Sequence, residues 1–308
     1  MQTSLITTIR CRAFIGLLGM GLMPIATLAE PNTNSTSAPT VAPSPAASDA
    51  ASDPCGGPTR LLATLDRPTF GFSACAVPKG SILLENGYQN QSQGGDSPGV
   101  ATTIGQGFQR VGIADRVEVD LIAATFNRAS SGGVLTKGFS DFGLGLKLEL
   151  PQRGRFTYAV DGLFTAATGT GGFSTGGPSQ TFNFDIAFAA SPAIGVGSTL
   201  AFSSASGTYT TPTNSIAIAP VSRFERYGFV MPSIVVTAQI PNAYQFFAEL
   251  AGQTKTGPAQ GGRFVGDIGV QKLLGRNVGL DAEYGNSFTP INGSRFHYIG
   301  FGAGVRLI

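Results

Sequence analysis

The sequence predicts an all-β protein, in which a transmembrane antiparallel up-and-down β-barrel of about 12 strands forms the main domain. Three observations predict it. Charged residues make up 12% of the 308 residues, about half the ~25% of soluble globular chains. Apolar and polar residues alternate over many short segments, and short and long connections alternate between them. Before the barrel we predict a disordered linker and a small disulfide-closed segment.

Composition excludes several other classes of protein. A hydrophobic content of 42% and a mean hydropathy of +0.15 are too low for a bundle of membrane-spanning helices. The formal net charge of +2 gives no indication of a nucleic-acid partner. The chain has no Trp and a single His, which argues against metal sites and His-dependent catalysis. We therefore expect no enzyme activity, no cofactor and no metal.

Residues 1–29 are typical of a secretory signal peptide. Arg10 and Arg12 precede the apolar run 13–23, and Thr27 and Ala29 are the small residues of a cleavage site. The alternative is an uncleaved anchor helix, which the short apolar run disfavours. Export, together with a barrel, predicts the outer membrane of a Gram-negative bacterium.

Two segments separate the signal peptide from the barrel. Residues 30–53 are rich in Pro, Ala, Ser and Thr, so they cannot bury enough apolar surface to order themselves, and we predict a disordered linker. Cys55 and Cys75 form an even pair in an exported chain, which predicts a disulfide rather than two independent thiols. The bond would close segment 54–79 into a small periplasmic cap or plug.

The main signal of the barrel is alternation with a period of two. In segment 141–150 the even positions are Phe and Leu, while Lys147 and Glu149 lie on the other face. Segments 116–124, 181–189, 244–250 and 278–285 alternate in the same way, although Phe247 interrupts one polar face. A soluble sandwich would carry many Lys and Glu on its polar face. Here that face is Gly, Asn and acids, and the other is rich in Phe, which favours lipid outside and water inside.

Two features fit this pattern less well. In segment 100–112, Ile104 and Phe108 share parity with Gln106 and Arg110, which a bulge would explain. Without Trp, an interfacial aromatic girdle would have to come from tyrosines. The candidates are Tyr88, Tyr158, Tyr227, Tyr244, Tyr284 and Tyr298.

The connections give the strand number. Short turns are predicted at 113–115, 151–155, 191–193, 241–243 and 275–277. Longer Gly, Ser, Thr and Pro stretches lie at 90–99, 129–140, 167–180, 204–223, 253–262 and 287–294. Outer-membrane barrels alternate short periplasmic turns with long outer loops. Eleven connections predict 12 strands within 80–308.

If the apolar face meets lipid, the polar face lines the lumen. The predicted lumen-lining residues are Glu118, Asp120, Lys147, Glu149, Asp161, Asn183, Asp185, Glu249, Asp267, Asp281, Glu283 and Arg306. Nine of these are acids and two are bases, a lining that favours cations. Glycines leave space beside them: Gly143, Gly145, Gly279, Gly285, Gly300, Gly302 and Gly304. We weigh a conducting pore ahead of a barrel plugged by a network with Arg110, Arg223, Arg226 and Arg263.

Four segments resemble the outer-membrane transporters grouped under the MetA pathway of phenol degradation. They are SILLENGYQ, GIADRVEVDLIAA, SDFGLGLKLEL and GSRFHYIGFGAGVRLI, and the resemblance covers roughly 80–308. It implies a β-barrel and uptake of small molecules. It supplies no binding residues, and the terminal Ile308 departs from the aromatic residue usual in such barrels.

We therefore predict a porin-like channel for passive passage of small solutes. The alternatives are a carrier of hydrophobic or aromatic compounds and a non-conducting structural or adhesive barrel. An enzyme is disfavoured because the only imidazole, His297, shares parity with Ile299 and Phe301 and points outward. The expected partners are outer-membrane lipids, the barrel-assembly machinery and a small-molecule solute. The sequence does not determine the solute or the oligomeric state.

Overall fold

A computed structural model describes residues 53–56, 59–95, 98–210, 222–289 and 295–307. The predicted signal peptide, the predicted linker up to residue 52 and the terminal Ile308 lie outside the described residues. Nearly all of the described chain beyond residue 81 forms β-strands, and the residues before it form a short segment that contains one helix, α1 (Arg60–Thr64). A single turn of 3-10 helix covers Gly171–Phe173.

The strands form one antiparallel sheet that closes on itself. Their bounds are β1 (Ile82–Gln93), β2 (Gly99–Ile104), β3 (Phe108–Ala114), β4 (Val117–Ile122), β5 (Phe126–Ser131), β6 (Val134–Phe139), β7 (Phe142–Glu149), β8 (Phe156–Ala166), β9 (Ser179–Ala189), β10 (Ile194–Thr210), β11 (Ser222–Ile240), β12 (Tyr244–Gln253), β13 (Arg263–Leu274), β14 (Val278–Ser287) and β15 (Phe296–Leu307). Strand β1 pairs with β15 along its whole length, and this pairing closes the barrel. Closure gives the backbone N–H and C=O groups of both seam strands a partner, as a hydrocarbon environment requires.

The barrel wall has 12 strand positions because three of them are each occupied by two collinear segments. Strand β1 pairs with β2 near one end and with β3 near the other. In the same way β4 and β5 form one wall position, and β6 and β7 form the next. The predicted barrel of 12 antiparallel strands is confirmed.

The break between β2 and β3 explains the irregular alternation in this region. Gly105 has a φ of 85°, and a β-carbon on Gly107 would lie 2.0 Å from the carbonyl oxygen of Glu85, so both positions require glycine. The break shifts the alternation between the two segments. Ile104 therefore points outward and is 50% exposed, whereas Arg110 has the same parity and is fully buried inside.

The two ends of the barrel differ in their connections. One end, the turn end, carries the tight turns between β3 and β4, β7 and β8, β9 and β10, β11 and β12, and β13 and β14. The other, the loop end, carries longer connections, parts of which lie outside the described residues. The predicted long loop over 129–140 is wrong, because β5 and β6 form a hairpin joined by Gly132 and Gly133, both with positive φ.

The outer surface of the barrel is apolar along the middle of the wall. Leu144, Leu146, Phe246, Ile268 and Phe301 are 49–61% exposed, although they are large hydrophobic side chains. Exposure of so many such residues on one continuous surface is the property of a barrel wall that faces lipid. The fold is a transmembrane β-barrel. None of the described helices has the length and apolar character needed to span a bilayer.

The apolar outer surface generates a testable prediction. Leu146→Arg should lower the free energy of unfolding by about 2–4 kcal/mol, because the charge would face the middle of the bilayer. Urea titration of the barrel in lipid vesicles, followed by the shift of the folded band on an unheated gel, measures the change.

A matched control lies on the same outward row beyond the apolar band. Leu135→Arg, on the hairpin of β5 and β6, should cost less than about 1 kcal/mol. Equal effects of the two substitutions would contradict a lipid-facing wall.

Candidate functional site in the barrel lumen

The predicted lumen-lining residues all project to the inner side of the wall. Ten of them are buried: Glu118, Asp120, Lys147, Asp161, Asn183, Asp185, Glu249, Asp267, Asp281 and Glu283. Glu149 and Arg306 are half-buried near the turn end. The interior of the barrel is therefore polar and predominantly acidic. Among the described residues, no cluster of His, Cys, Asp and Glu has an arrangement that could hold a metal ion.

Residues 53–56 and 59–79 lie inside the barrel and are called the plug here. The plug enters from the turn end, where Lys79 forms a bridge with Gly112 and the amide of Gly80 donates to the carbonyl of Gly112. The first buried layer is apolar, because Leu61, Leu62 and Leu65 pack with Val77 of the plug and with Leu83 and Leu273 of the wall. The sulfur atoms of Cys55 and Cys75 are 2.05 Å apart.

Backbone amides of the plug donate hydrogen bonds to carboxylates of the wall. Glu85 accepts from the amides of Asp66 and Arg67 at 3.0 and 2.9 Å. Glu249 accepts from the amides of Phe70 and Gly71 at 2.7 and 2.8 Å. Most of the plug has no regular secondary structure, so its buried N–H groups need acceptors from elsewhere, and a carboxylate can accept several hydrogen bonds.

Two more glutamates hold the end of the plug that leads into β1. Glu149 accepts from the amide of Ala76 at 2.8 Å, and Glu118 accepts from the amide of Val77 at 2.5 Å. On the opposite side of the barrel, the hydroxyl of Thr199 accepts from the amide of Phe72 at 2.8 Å. The plug is thus bound to strands around the whole circumference.

Arg110 connects the plug to the wall at the centre of this arrangement. Its guanidinium lies 2.6 Å from Glu118 and 3.0 Å from Glu85 of the wall, and 3.2 Å from Asp66 of the plug. It also donates to the carbonyls of Thr64 and Cys75. Lys147 lies 3.3 Å from the same Asp66. All five charged side chains are buried, so this ion network is shielded from water.

A cation of the plug, Arg67, occupies a slot between two glycines of the wall. The guanidinium of Arg67 lies 3.3 Å from Asp281 and donates to the carbonyl of Gln106. Gly87 and Gly302 are directly opposite each other in the β1–β15 seam, and a β-carbon at either would lie within 2.5 Å of this guanidinium. Inward glycines therefore make room for the plug.

Aromatic residues cover the tip of the plug. Phe72 packs against Phe108 with ring centroids 5.6 Å apart, next to the buried Leu163. Phe70 meets the edge of Tyr298 at 6.1 Å. The hydroxyl of Tyr298 donates to Asp267 at 2.9 Å inside the barrel. The prediction that Tyr298 belongs to an interfacial girdle is therefore wrong.

The structure places the plug inside the predicted lumen. Arg110, which the alternative of a plugging network named, is at the centre of that network, whereas Arg223 and Arg226 are exposed at the loop end. Sequence reasoning did not assign roles to Glu85, Asp66 or Arg67. The signal available in the sequence was the set of inward glycines on neighbouring strands. Two glycines opposite each other in the seam leave space in the lumen for a side chain from another part of the chain.

Comparisons with known proteins were made for sequence and for structure. No family model and no curated protein matches the sequence. The structure is similar to an outer membrane channel from Pseudomonas putida F1, with a TM-score of 0.54 and 12% identity over 75% of this chain and 97% of that one. It also aligns with the NanC porin, with a TM-score of 0.44 and 10% identity over 72% and 100%. A further alignment is with the CymD monoaromatic hydrocarbon channel, with a TM-score of 0.40 and 9% identity over 75% and 88%.

The first of these comparisons supports the fold. It shows that the barrel of this chain is built like that of a known outer membrane channel. The resemblance to the MetA-pathway family stays a prediction.

The ion network predicts a large effect of removing Arg110. Arg110→Met should lower the free energy of unfolding by about 3–5 kcal/mol, because Glu85, Glu118 and Asp66 would lose a buried partner. Arg223→Met removes an exposed cation and should change it by less than about 0.5 kcal/mol. Denaturant titration of the two variants decides whether the network stabilises the protein.

The glycine slot predicts a selective loosening of the plug. Gly87→Ala should displace the guanidinium of Arg67 from Asp281, since the flexible side chain can move while the wall stays intact. Limited proteolysis of the folded barrel should then cleave the plug faster than in the wild type. Gly94→Ala is the matched control, because a β-carbon there meets no atom within 4 Å. Equal cleavage of the two variants would contradict the role of the slot.

Proposed function

We propose that this protein is an outer-membrane channel for small solutes, whose lumen is closed from the turn end by its own plug. The observation that carries the proposal is the nature of the closure. The plug is joined to the barrel covalently only where it continues into β1, and its other contacts are hydrogen bonds, ion pairs and packing. The hydrogen bonds and ion pairs can be exchanged for water or solute. The apolar contacts of Leu61, Leu62 and Leu65 and of the aromatic tip separate when the plug moves.

The polar interior supports passage of hydrophilic solutes. Every strand position of the wall presents polar atoms or glycine to the lumen, and Glu249, Asp267 and Glu283 lie on neighbouring strands beside the plug tip. Carboxylates along a path favour cations over anions. We therefore propose that the open channel prefers cations, and that these acids set the preference. Glu118 and Asp120 contribute less, because both lie within 4 Å of the guanidinium of Arg110.

The outer membrane location follows from the same features. Short turns at one end and longer loops at the other are typical of barrels whose turns face the periplasm. In this orientation the plug enters from the periplasm, as expected for a segment that follows an exported N-terminus. We include in the proposal a cleaved signal peptide, insertion by the barrel-assembly machinery and a Cys55–Cys75 disulfide within the plug.

We propose no enzymatic step. His297 is exposed on the outer surface, and its ring faces Tyr284 at 6.4 Å. An imidazole in this position belongs to the lipid-facing side and cannot serve as a base for a solute in the lumen. A structural or adhesive barrel without transport is the outcome if no variant conducts.

A locked plug tests the channel. A β-carbon on Gly71 would lie 2.4 Å from the hydroxyl oxygen of Ser233, so a Gly71→Cys, Ser233→Cys pair can join the plug tip to the wall. In planar bilayers the oxidised double variant should not conduct, and reduction should restore openings. Ser233→Cys alone is the control for the effect of the reductant. Conduction by the oxidised, fully cross-linked protein would contradict passage through the lumen.

Charge selectivity tests the proposed path. With a salt gradient across the bilayer, Glu283→Gln should move the reversal potential towards that of an unselective pore. Glu225→Gln, an exposed acid at the loop end, should move it less. Equal shifts would place the selective carboxylates outside the lumen.

A second candidate function is favoured by the aromatic residues at the plug tip. Phe70 and Phe72 of the plug meet Phe108, Phe296 and Tyr298 of the wall, so the lumen contains more apolar surface than sequence parity indicated. A small aromatic compound could replace these ring contacts while the plug shifts. If this is so, Phe108→Ala should weaken binding of 4-nitrophenol in equilibrium dialysis, and Phe264→Ala on the outer surface should not.

A further inference from the structure

The outer and inner faces of the barrel differ in the sign of their charges. Within the described strands, every acid lies on the inward row, and the outward row carries cations alone. These outward cations are Arg128, Lys137, Arg226 and Lys272. Three of them lie towards the loop end, and Lys272 lies near the turn end. Because the surface around them is apolar, each is a place where an anionic group can meet the barrel from the membrane.

Two of these cations are direct neighbours. Arg128 of β5 and Lys137 of β6 are opposite each other in the strand register, and both are exposed. The adjacent register pair, Asn127 and Gly138, is buried on the inner face, which places Arg128 and Lys137 on the outer face. Like charges directly opposite on a sheet destabilise it unless something neutralises them. We call these two residues the cation pair.

The neighbours of the cation pair are neutral. On the adjoining strand Arg128 faces Thr102, and the next outward residues along the hairpin are Phe126, Ser130, Leu135 and Phe139. None of the salt bridges within the described residues includes a member of the pair. By contrast, Arg226 donates to the hydroxyl of Ser204, and the ammonium of Lys272 lies 3.9 Å from the centre of the Tyr244 ring.

The cation pair lies at the border of the apolar band. Immediately towards the membrane centre, Phe126 and Phe139 contact each other with ring centroids 5.5 Å apart. Phe139 and the nearby Ile104 are 49% and 50% exposed. A surface with two cations above exposed apolar side chains matches an amphipathic anion, whose phosphate meets the charges while its acyl chains lie along the wall.

We propose that the cation pair is a binding site for the phosphate groups of a lipid in the membrane leaflet at the loop end. The proposal rests on the membrane-spanning barrel and is independent of whether the lumen conducts. A phosphorylated lipid neutralises two like charges that the protein itself leaves together.

Native mass spectrometry of the full folded chain in detergent tests this site. The probe is a lipid A molecule with two phosphates, and phosphatidylcholine is the comparison lipid. The wild type should bind lipid A in preference to phosphatidylcholine. The Arg128→Gln, Lys137→Gln variant should bind it about 25-fold more weakly, a factor of about five for each cation lost at the membrane surface. Lys272→Gln, an outward cation at the opposite end, should bind it like the wild type.

Several results would overturn the proposal. The double variant and the wild type would bind lipid A with equal affinity, or Lys272→Gln would lose as much affinity for lipid A as the double variant. Equal binding of lipid A and phosphatidylcholine by the wild type would also overturn it. Inorganic phosphate that displaces lipid A at equal concentration would show a site for soluble phosphate instead. The gel shift of the unheated barrel verifies folding of each variant. If the double variant does not fold, Lys137→Gln and the charge-retaining Lys137→Arg replace it, and only the first should lose affinity.

Discussion

The burial of carboxylates inside a membrane-spanning barrel is the constraint on which the rest of this structure depends. A wall that exposes apolar side chains to lipid must turn its polar side chains inward, and the wall carries acids on most of its strands. Buried carboxylates are costly unless they are paired or accept hydrogen bonds. Arg110 and Lys147 neutralise part of this charge, and the backbone amides of the plug satisfy several further oxygens. The plug and the acids of the lumen therefore stabilise each other.

This mutual dependence links the closed lumen to the proposed channel. A peptide segment with little regular secondary structure is an unusual core, because its N–H groups would be unsatisfied among apolar side chains. Here the glutamates of the wall accept those hydrogen bonds, and glycines of the seam leave space for Leu65 and Arg67. The same polar contacts can be replaced by water. The polar part of the closure is therefore compatible with opening, while the apolar layer of Leu61, Leu62 and Leu65 holds the closed state.

The inner and outer faces of the barrel wall carry charges of opposite sign. The acids face the lumen, where they can select cations, and the outward cations lie near the two rims of the wall. The cation pair is the place where this separation is most pronounced, since two like charges are neighbours and no acid of the described residues lies beside them. Successive side chains of a strand point to opposite faces of the sheet. One alternating strand pattern therefore lets the lumen attract cations and the outer surface attract anionic lipid groups.

The alternation of apolar and polar residues determined the class of fold and the sidedness of Leu146 and Lys147, and the pattern of connections determined the number of strands. These properties are local, since the period of two and the turn residues are visible within each segment. Only the tertiary structure decided what fills the lumen. The contacts of Asp66 with Arg110 and of Arg67 with Asp281 join residues distant in the chain, and nothing in the local pattern of either partner specifies the other. The strand break at Gly105 was likewise undecided by sequence, because a shift of one residue in register turns every following side chain to the other face. The inward position of Tyr298, by contrast, follows from the outward parity of His297 and Ile299.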